Sequence, residues 1–184
     1  MSTKTKQQIR NQALSIRSNI PKDILDTYNA NIYKNIISIV SKIKIKSVHC
    51  YISYKNEPST LRLIDYFINS KIETYVPVLV DDIMLSSRIV NNNFTAGPYG
   101  ILQPKNIIVA PNNFKFDLII VPTLAFDDNK NRLGYGKGYY DKFLIKQKKS
   151  YTVGLSYEQN KIQNLPTDAH DVSLKTIVTQ NFIY

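Results

Sequence analysis

The chain has one cysteine, no tryptophan, two histidines and only six glycines in 184 residues. A lone Cys50 excludes an intrachain disulfide and any zinc site built from several thiolates, which fits a reducing compartment and does not point to redox chemistry. Long apolar runs are also missing. None approaches the roughly 20 residues that cross a bilayer, so no membrane span is expected. The N-terminal "MSTKTKQQIRNQALSIR" lacks the apolar centre of a signal peptide, and its basic amphipathic character is that of a helix. Together these absences point to a cytoplasmic protein. The length predicts one domain over residues 1–184, undivided by repeat, low-complexity segment or linker, and a monomer is expected.

Acidic residues are in short supply as well: 14 Asp and Glu stand against 24 Lys and Arg, a formal charge of +10. No dense basic run accompanies the excess. The lysines are scattered along the chain, and nucleic acid is not the expected partner. Scattered Lys with abundant Ile, Asn and Tyr is what an AT-rich coding sequence produces; an anionic small ligand would also favour a positive surface.

What is present is an alternation of helical and extended patterns. Ile9, Ala13, Ile16 and Ile20, after a Ser2-Thr3 cap and before Pro21, predict a first helix whose other face carries Lys6 and Arg10 one turn apart. Leu25, Tyr28, Ile32, Ile36, Ile39 and Ile43 predict a longer second helix starting near Pro21 and Asp23. "SVHCYISY" (47–54) reads as a strand, followed by a capped helix from Ser59 to Ser70. "IETYVPVLV" and "IMLSSRIV" read as short strands flanking Asp81-Asp82, and "TAGPYGILQP" as a loop. "FDLIIVPTLAF" (116–126) has the run of a strand buried on both faces; Tyr140, Phe143, Leu144 and Gln147 resume helical spacing; "YTVGLSY" (151–157) and "LKTIVT" (174–179) are the last strands. The alternation predicts an α/β fold, three layers with a mostly parallel or mixed central sheet and helices on both faces. His49 and Cys50 are neighbours on a strand, so they face opposite sides and form no dyad.

Half of the glycines are concentrated in "NRLGYGKGYYDKFL", Asn131 to Leu144, as Gly134, Gly136 and Gly138. The segment follows a buried strand and opens a helix, a turn that lies at the carboxyl end of an α/β sheet, where ligands bind. Glycines there let the backbone approach an anion and adopt positive φ. The spacing G-x-G-x-G fits neither the Walker loop, G-x-x-x-x-G-K-[ST], nor the dinucleotide fingerprint, G-x-G-x-x-G. Arg132, Lys137 and Asp141 surround the glycines with two cations suited to phosphates and a carboxylate suited to Mg2+. Chain reversal requires none of the three.

"RLGYGKGYYDKFL" resembles the signature R-L-G-x-G-x-G-Y-Y-D of the 5-formyltetrahydrofolate cyclo-ligase family, also called 5,10-methenyltetrahydrofolate synthetases. Lys6 with Arg10, "YISYKNE", "GILQP", "FDLIIVPTLAFD" and "LPTDAHDVSLKTIVT" follow the family pattern in order along nearly the whole chain. The resemblance implies ATP-dependent conversion of 5-formyltetrahydrofolate (folinate) into 5,10-methenyltetrahydrofolate, with Mg2+ present and with release of ADP and phosphate. It implies that Lys6, Arg10, Arg132 and Gly134 bind ATP. Ile52, Glu57, Tyr135, Gly136, Lys137, Gly138 and Tyr139 would line the folate site, with Lys137 as the catalytic group on the phosphoryl path. Asp141 and Asp171 would ligate Mg2+, Tyr140 is assigned to the core, and His170 is given no catalytic role. The rival reading from another class is a non-catalytic nucleotide- or RNA-binding homologue of the same fold; intact Arg132, Lys137, Asp141 and Glu57 favour the enzyme.

Overall fold

The computed structural model describes residues 4–91, 93–97 and 100–184. Helix α1 spans Lys6–Ser18 and α2 Lys22–Val40. The expected Ser2-Thr3 cap lies outside the described residues. Thr5 caps α1 instead: its hydroxyl accepts the Gln8 N–H at 3.3 Å while the Gln8 side chain accepts the Thr5 N–H at 2.8 Å, a reciprocal box that satisfies two otherwise unpaired donors.

Six strands make the central sheet: β1 (Ser47–Cys50), β2 (Glu73–Val80), β3 (Ile83–Ile89), β6 (Leu118–Pro122), β9 (Tyr151–Leu155) and β10 (Thr176–Val178). Their order is β10-β9-β6-β1-β2-β3, parallel throughout except for β3, which returns antiparallel to β2. Asp81 and Asp82 both take left-handed φ, +48° and +58°, and form the two-residue turn of that hairpin. The outer edge of β3 is covered by residues 107–110, where the Arg88 N–H donates to the Ile108 carbonyl and the Ala110 N–H to the Ser86 carbonyl, both at 2.8 Å.

Alternation along the strands divides the apolar side chains between two faces. Val48, Cys50, Val76, Leu118 and Ile120 pack with α2 and with α3 (Leu61–Asn69) through Ile32, Ile36, Leu63, Ile64 and Phe67. Fully burying a side chain such as Phe67 contributes about 1.5–3 kcal/mol. Tyr75, Ile119, Val121 and Ile177 face the other way, against α4 (Tyr139–Leu144) and the aromatic segment at Phe114 and Phe116. The expected mostly parallel sheet with helices on both faces is therefore present. His49 and Cys50 point to opposite faces: His49 packs on Phe116, Tyr140 and Phe143, and Cys50 joins the α2–α3 side.

Several elements differ from their sequence-based expectations. Strand β1 stops at Cys50 rather than continuing to residue 54, because the following segment bonds to residues 58–60 instead of a neighbouring strand. The Tyr51 hydroxyl donates to the Pro58 carbonyl at 2.7 Å, and the Thr60 hydroxyl both donates to the Tyr51 carbonyl and accepts the Ser53 N–H. "TAGPYGILQP" is not a plain loop. Its described ends pair as β4 (Phe94–Ala96) with β5 (Leu102–Pro104), its glycines supplying the turn: Gly97 N–H donates to Ile101 O, and Gly100 sits at φ +75°; Pro98 and Tyr99 are outside the described residues. Helix α4 ends at Leu144, and Gln147 bridges loops, donating to the Phe114 carbonyl and accepting the Phe116 N–H. Two residue pairs form the remaining hairpin, β7 (Ala125–Phe126) with β8 (Arg132–Leu133).

The lysines scattered in sequence are gathered by the fold. Lys42, Lys44 and Lys46 precede β1, Lys71 precedes β2, Lys115 precedes β6, and Lys146, Lys148 and Lys149 precede β9; all eight are exposed. Parallel strands all start at one end of the sheet, so lysines far apart along the chain share that end. Among the described residues none of the eight enters an ion pair.

Candidate active site

At the opposite, carboxyl end of the strands lies a cavity of about 560 Å³. Its floor comes from Tyr51 and Ile52 beyond β1, Pro77–Leu79 at the end of β2, and Pro122 at the end of β6; residues 132–141 form one wall, and α1, the 168–171 turn and the β4–β5 hairpin supply the others. Every residue that the sequence marks for ATP, folate or metal lines this one cavity. The structure thus brings together residues separated by up to 165 positions.

The β7–β8 hairpin delivers the glycine segment. Asp127 ties its turn by accepting the Asn131 N–H, the Asn131 amide and the Leu165 N–H, each at 3.0 Å. Gly136 and Gly138 then adopt φ of +96° and +69°, which L side chains resist. Gly136 also allows a close approach, since a Cβ there would stand 3.1 Å from Cζ of Arg10. Helix α1 is seated on this wall by Ile9 and Ala13, which pack against Leu124, Ala125, Leu133 and Leu165. Arg10 donates from Nε to the Gly134 carbonyl at 3.0 Å.

Two of the anticipated phosphate cations, Arg132 and Lys6, are paired with carboxylates. Arg132 donates from Nη2 to Asp141 Oδ1 at 2.7 Å, and the same oxygen accepts the Val172 N–H at 3.2 Å. Burial lowers the Arg132 pKa even though the charge of Asp141 opposes that shift. Lys6 Nζ reaches Asp168 Oδ2 at 2.6 Å and Asp171 Oδ2 at 2.5 Å. Burial works against the Lys6 charge, but the two carboxylates outweigh it and the pKa rises. Burial likewise pushes the Asp171 carboxyl up, while Lys6 and the Asp168 N–H hold it below its ordinary value overall. Asp168, His170 and Asp171 place ligand atoms within 4.8 Å of one another; Asp141 stands outside that group. The donor set is dominated by carboxylate oxygens already holding an ammonium, which suits a hard divalent cation.

Glu57 is 8% exposed. Its Oε2 accepts the Tyr54 N–H at 2.9 Å and its Oε1 the Tyr135 hydroxyl at 2.8 Å. Burial raises its pKa, with those two bonds and the charge of Arg17 acting in the opposite direction. Ile52 is a buried wall, Lys137 is exposed, and the Tyr139 hydroxyl donates to Asp82 at 3.4 Å. Tyr140 packs in the core as expected, yet it also lines the cavity, and its hydroxyl has no hydrogen-bond partner among the described residues. Sequence reasoning missed Asp168, which a D-x-x-D spacing with Asp171 could have marked, and Arg17, seven residues beyond Arg10 and so two helical turns along the same face.

The 5-formyltetrahydrofolate cyclo-ligase family model matches residues 2–180. The 5-formyltetrahydrofolate cyclo-ligase of Haemophilus influenzae is 32% identical over 186 residues, covering 97% of this chain and 99% of that protein. The solved 5,10-methenyltetrahydrofolate synthetase of Aquifex aeolicus superposes with a TM-score of 0.83 at 28% identity, over 97% of this chain and 91% of that one. The 5,10-methenyltetrahydrofolate synthetase of Mycoplasma pneumoniae shares the fold with a TM-score of 0.80 at 20% identity, over 96% and 99% of the two chains. With the glycine segment, its flanking charges and Glu57 converging on one cavity, and with likeness running the length of the sequence, the chain belongs to the 5-formyltetrahydrofolate cyclo-ligase family.

Proposed function

We propose that the protein, acting as one domain over residues 1–184, converts 5-formyltetrahydrofolate into 5,10-methenyltetrahydrofolate at the expense of ATP. The observation that carries this reading is the single cavity shared by a cation-rich glycine wall and the buried carboxylate Glu57. A formamide carbonyl is a poor electrophile. Its oxygen attacks the γ-phosphorus of ATP and ADP leaves, giving an imidate-like phosphate; N10 of the same folate then attacks the activated carbon, loses its proton, and the C–O bond to phosphate breaks. No protein nucleophile takes part, so the chain's contribution is placement and charge stabilisation.

Lys6, Arg10, Arg132 and the backbone at Gly134 hold the phosphates, and Lys137 meets the charge of the phosphoryl group in transit. Glu57 accepts from the pterin ring, with Ile52 and Tyr135 to Tyr139 shaping its pocket. Asp141 and Asp171, with Asp168 beside the latter, would hold Mg2+, which supplies charge neutralisation among the phosphates when bound. Once phosphates take over as partners of Lys6 and Arg132, these carboxylates become available to a metal. The same reading places the protein in the cytoplasm as a monomer; among the described residues no helix is long and apolar enough to cross a membrane.

The test mixes purified protein, ATP, Mg2+ and 5-formyltetrahydrofolate and follows the methenyl chromophore. An ATP-dependent rise is expected, and folded protein that gives none overturns the assignment.

A further inference from the structure

Arg17 is a charged side chain only 5% exposed, on the turn of α1 farthest from Lys6. Its Nη2 donates to the Tyr135 hydroxyl at 2.5 Å, and that hydroxyl donates to Glu57 Oε1 at 2.8 Å. A guanidinium has no acceptor, so the phenol meets it with a lone pair and has its one proton to give to Glu57. The three side chains, from three separate segments, form a charge-assisted chain whose bonds reinforce each other. We propose that Arg17 is a positioning residue for substrate recognition: through the Tyr135 hydroxyl it holds the Glu57 carboxylate as an ionised acceptor for the paired N–H groups of a pyrimidinone ring edge. The proposal rests on the reading of Glu57 as the folate-binding group.

The chemistry needs the ionised form. A planar edge with two N–H donors is matched by a carboxylate accepting at both oxygens; a protonated carboxyl offers a donor at one of them. Tyr54 and Tyr135 each occupy one lone-pair site on separate oxygens, and a carboxylate has about four such sites. Enclosure opposes ionisation at this position. The titratable groups facing Glu57 are Arg17 from α1, Tyr135 from the glycine wall, Tyr51 beyond β1, Tyr140 from α4 and Tyr157 beyond β9. Every phenol among them is pushed toward its neutral form by burial, which leaves Arg17 as the cation of the group.

The test compares wild type with Arg17→Leu, Tyr135→Phe and the double variant by steady-state kinetics and thermal unfolding. Arg17→Leu should raise KM for 5-formyltetrahydrofolate about tenfold, the factor carried by one charge-assisted hydrogen bond, with little change in KM for ATP. The acidic limb of kcat/KM for the folate should move to higher pH, since that limb reports the free enzyme's carboxyl. Tyr135→Phe should do the same, and the double variant should be no worse than the poorer single, because both break one chain. Losses that multiply in the double variant, or an unmoved acidic limb, overturn the proposal. Should Arg17→Leu fail to fold, Arg17→Gln, which keeps a polar side chain beside the Tyr135 hydroxyl but removes the charge, decides the same question by the position of the acidic limb. A wild type without ATP-dependent product overturns the cyclo-ligase reading itself; an active wild type with unchanged variants overturns the role of Arg17 alone.

Discussion

Replacing Arg132 with methionine separates what the Arg132–Asp141 pair does for the fold from what it does for the reaction. The two side chains are 4% and 18% exposed, and Nη2 stands 2.7 Å from Oδ1. At that distance two unit charges attract by about 6 kcal/mol at an effective dielectric constant of about 20. Desolvation of both groups offsets most of that, so the intact pair is worth little net stability. Arg132→Met nevertheless strands the Asp141 carboxylate, and the cost is that of the unpaired charge: about 3 kcal/mol, the low end for breaking a buried pair, because Asp141 keeps some contact with solvent. For a chain of this length that lowers Tm by about 6–12 °C. Adding Asp141→Asn removes the stranded charge yet keeps an oxygen for the Val172 N–H, which sits 3.2 Å from Oδ1. The double variant should therefore regain about half of the lost Tm. Methenyl formation should not return with it, since the double variant still lacks one of the proposed phosphate cations and one of the proposed metal ligands. Thermal unfolding followed by circular dichroism, alongside the chromophore assay, reads both quantities. A single variant that melts with wild type, or a double variant that melts below the single, refutes the reasoning.

Three further outcomes are expected. Lys137→Ala should lower kcat about 100-fold or more while Tm stays within about 2 °C, because the side chain is exposed and surface changes cost within about 0.5 kcal/mol; near-normal turnover removes Lys137 from the phosphoryl path. Gly136→Ala forces a side chain into φ +96° and to 3.1 Å from Arg10 Cζ, so it should cost about 1–2 kcal/mol and raise KM for ATP more than KM for the folate, as paired kinetic titrations will show. His49 is fully buried among Phe116, Tyr140 and Phe143, neither ring nitrogen has a partner among the described residues, and burial lowers its pKa to about 3. A histidine depressed in the folded state contributes stability above its unfolded value of about 6.5 that is lost as pH falls toward 3. His49→Phe should flatten urea-measured stability between pH 7 and pH 4 relative to wild type, and an unchanged slope counts against a buried neutral imidazole.

The sequence carried the site better than it carried the local structure. Gly134, Gly136 and Gly138 with Arg132, Lys137 and Asp141 could be read as an anion-binding wall because the chemistry sits in one short segment, and Lys6 with Arg10 because helical spacing makes neighbours of them. What was not legible came from contacts between distant segments. Strand β1 ends at Cys50 because Thr60, ten residues on, takes the polar groups that a neighbouring strand would otherwise have met. Gln147 follows the helical rhythm of Tyr140 and Phe143 but is drawn to Phe114 and Phe116, more than 30 residues away. Arg17 carried no signal of its own in the sequence; only the return of Tyr135 over α1 links it to Glu57, which lines the cavity.

The lysine-rich end of the sheet bears on how this protein meets ATP in solution. A strand and its exit segment of about five residues rise roughly 16 Å, so the eight lysines stand about that far below the cavity. The Debye length is about 8 Å at physiological ionic strength and about 30 Å at 10 mM salt. In the first regime the cavity's own cations act alone on an approaching polyphosphate. In the second the whole basic end joins them, and capture is accelerated by charges that never touch the nucleotide. The salt dependence of kcat/KM thus measures two fields of different range, and association rates taken in dilute buffer describe the lysines as much as the site.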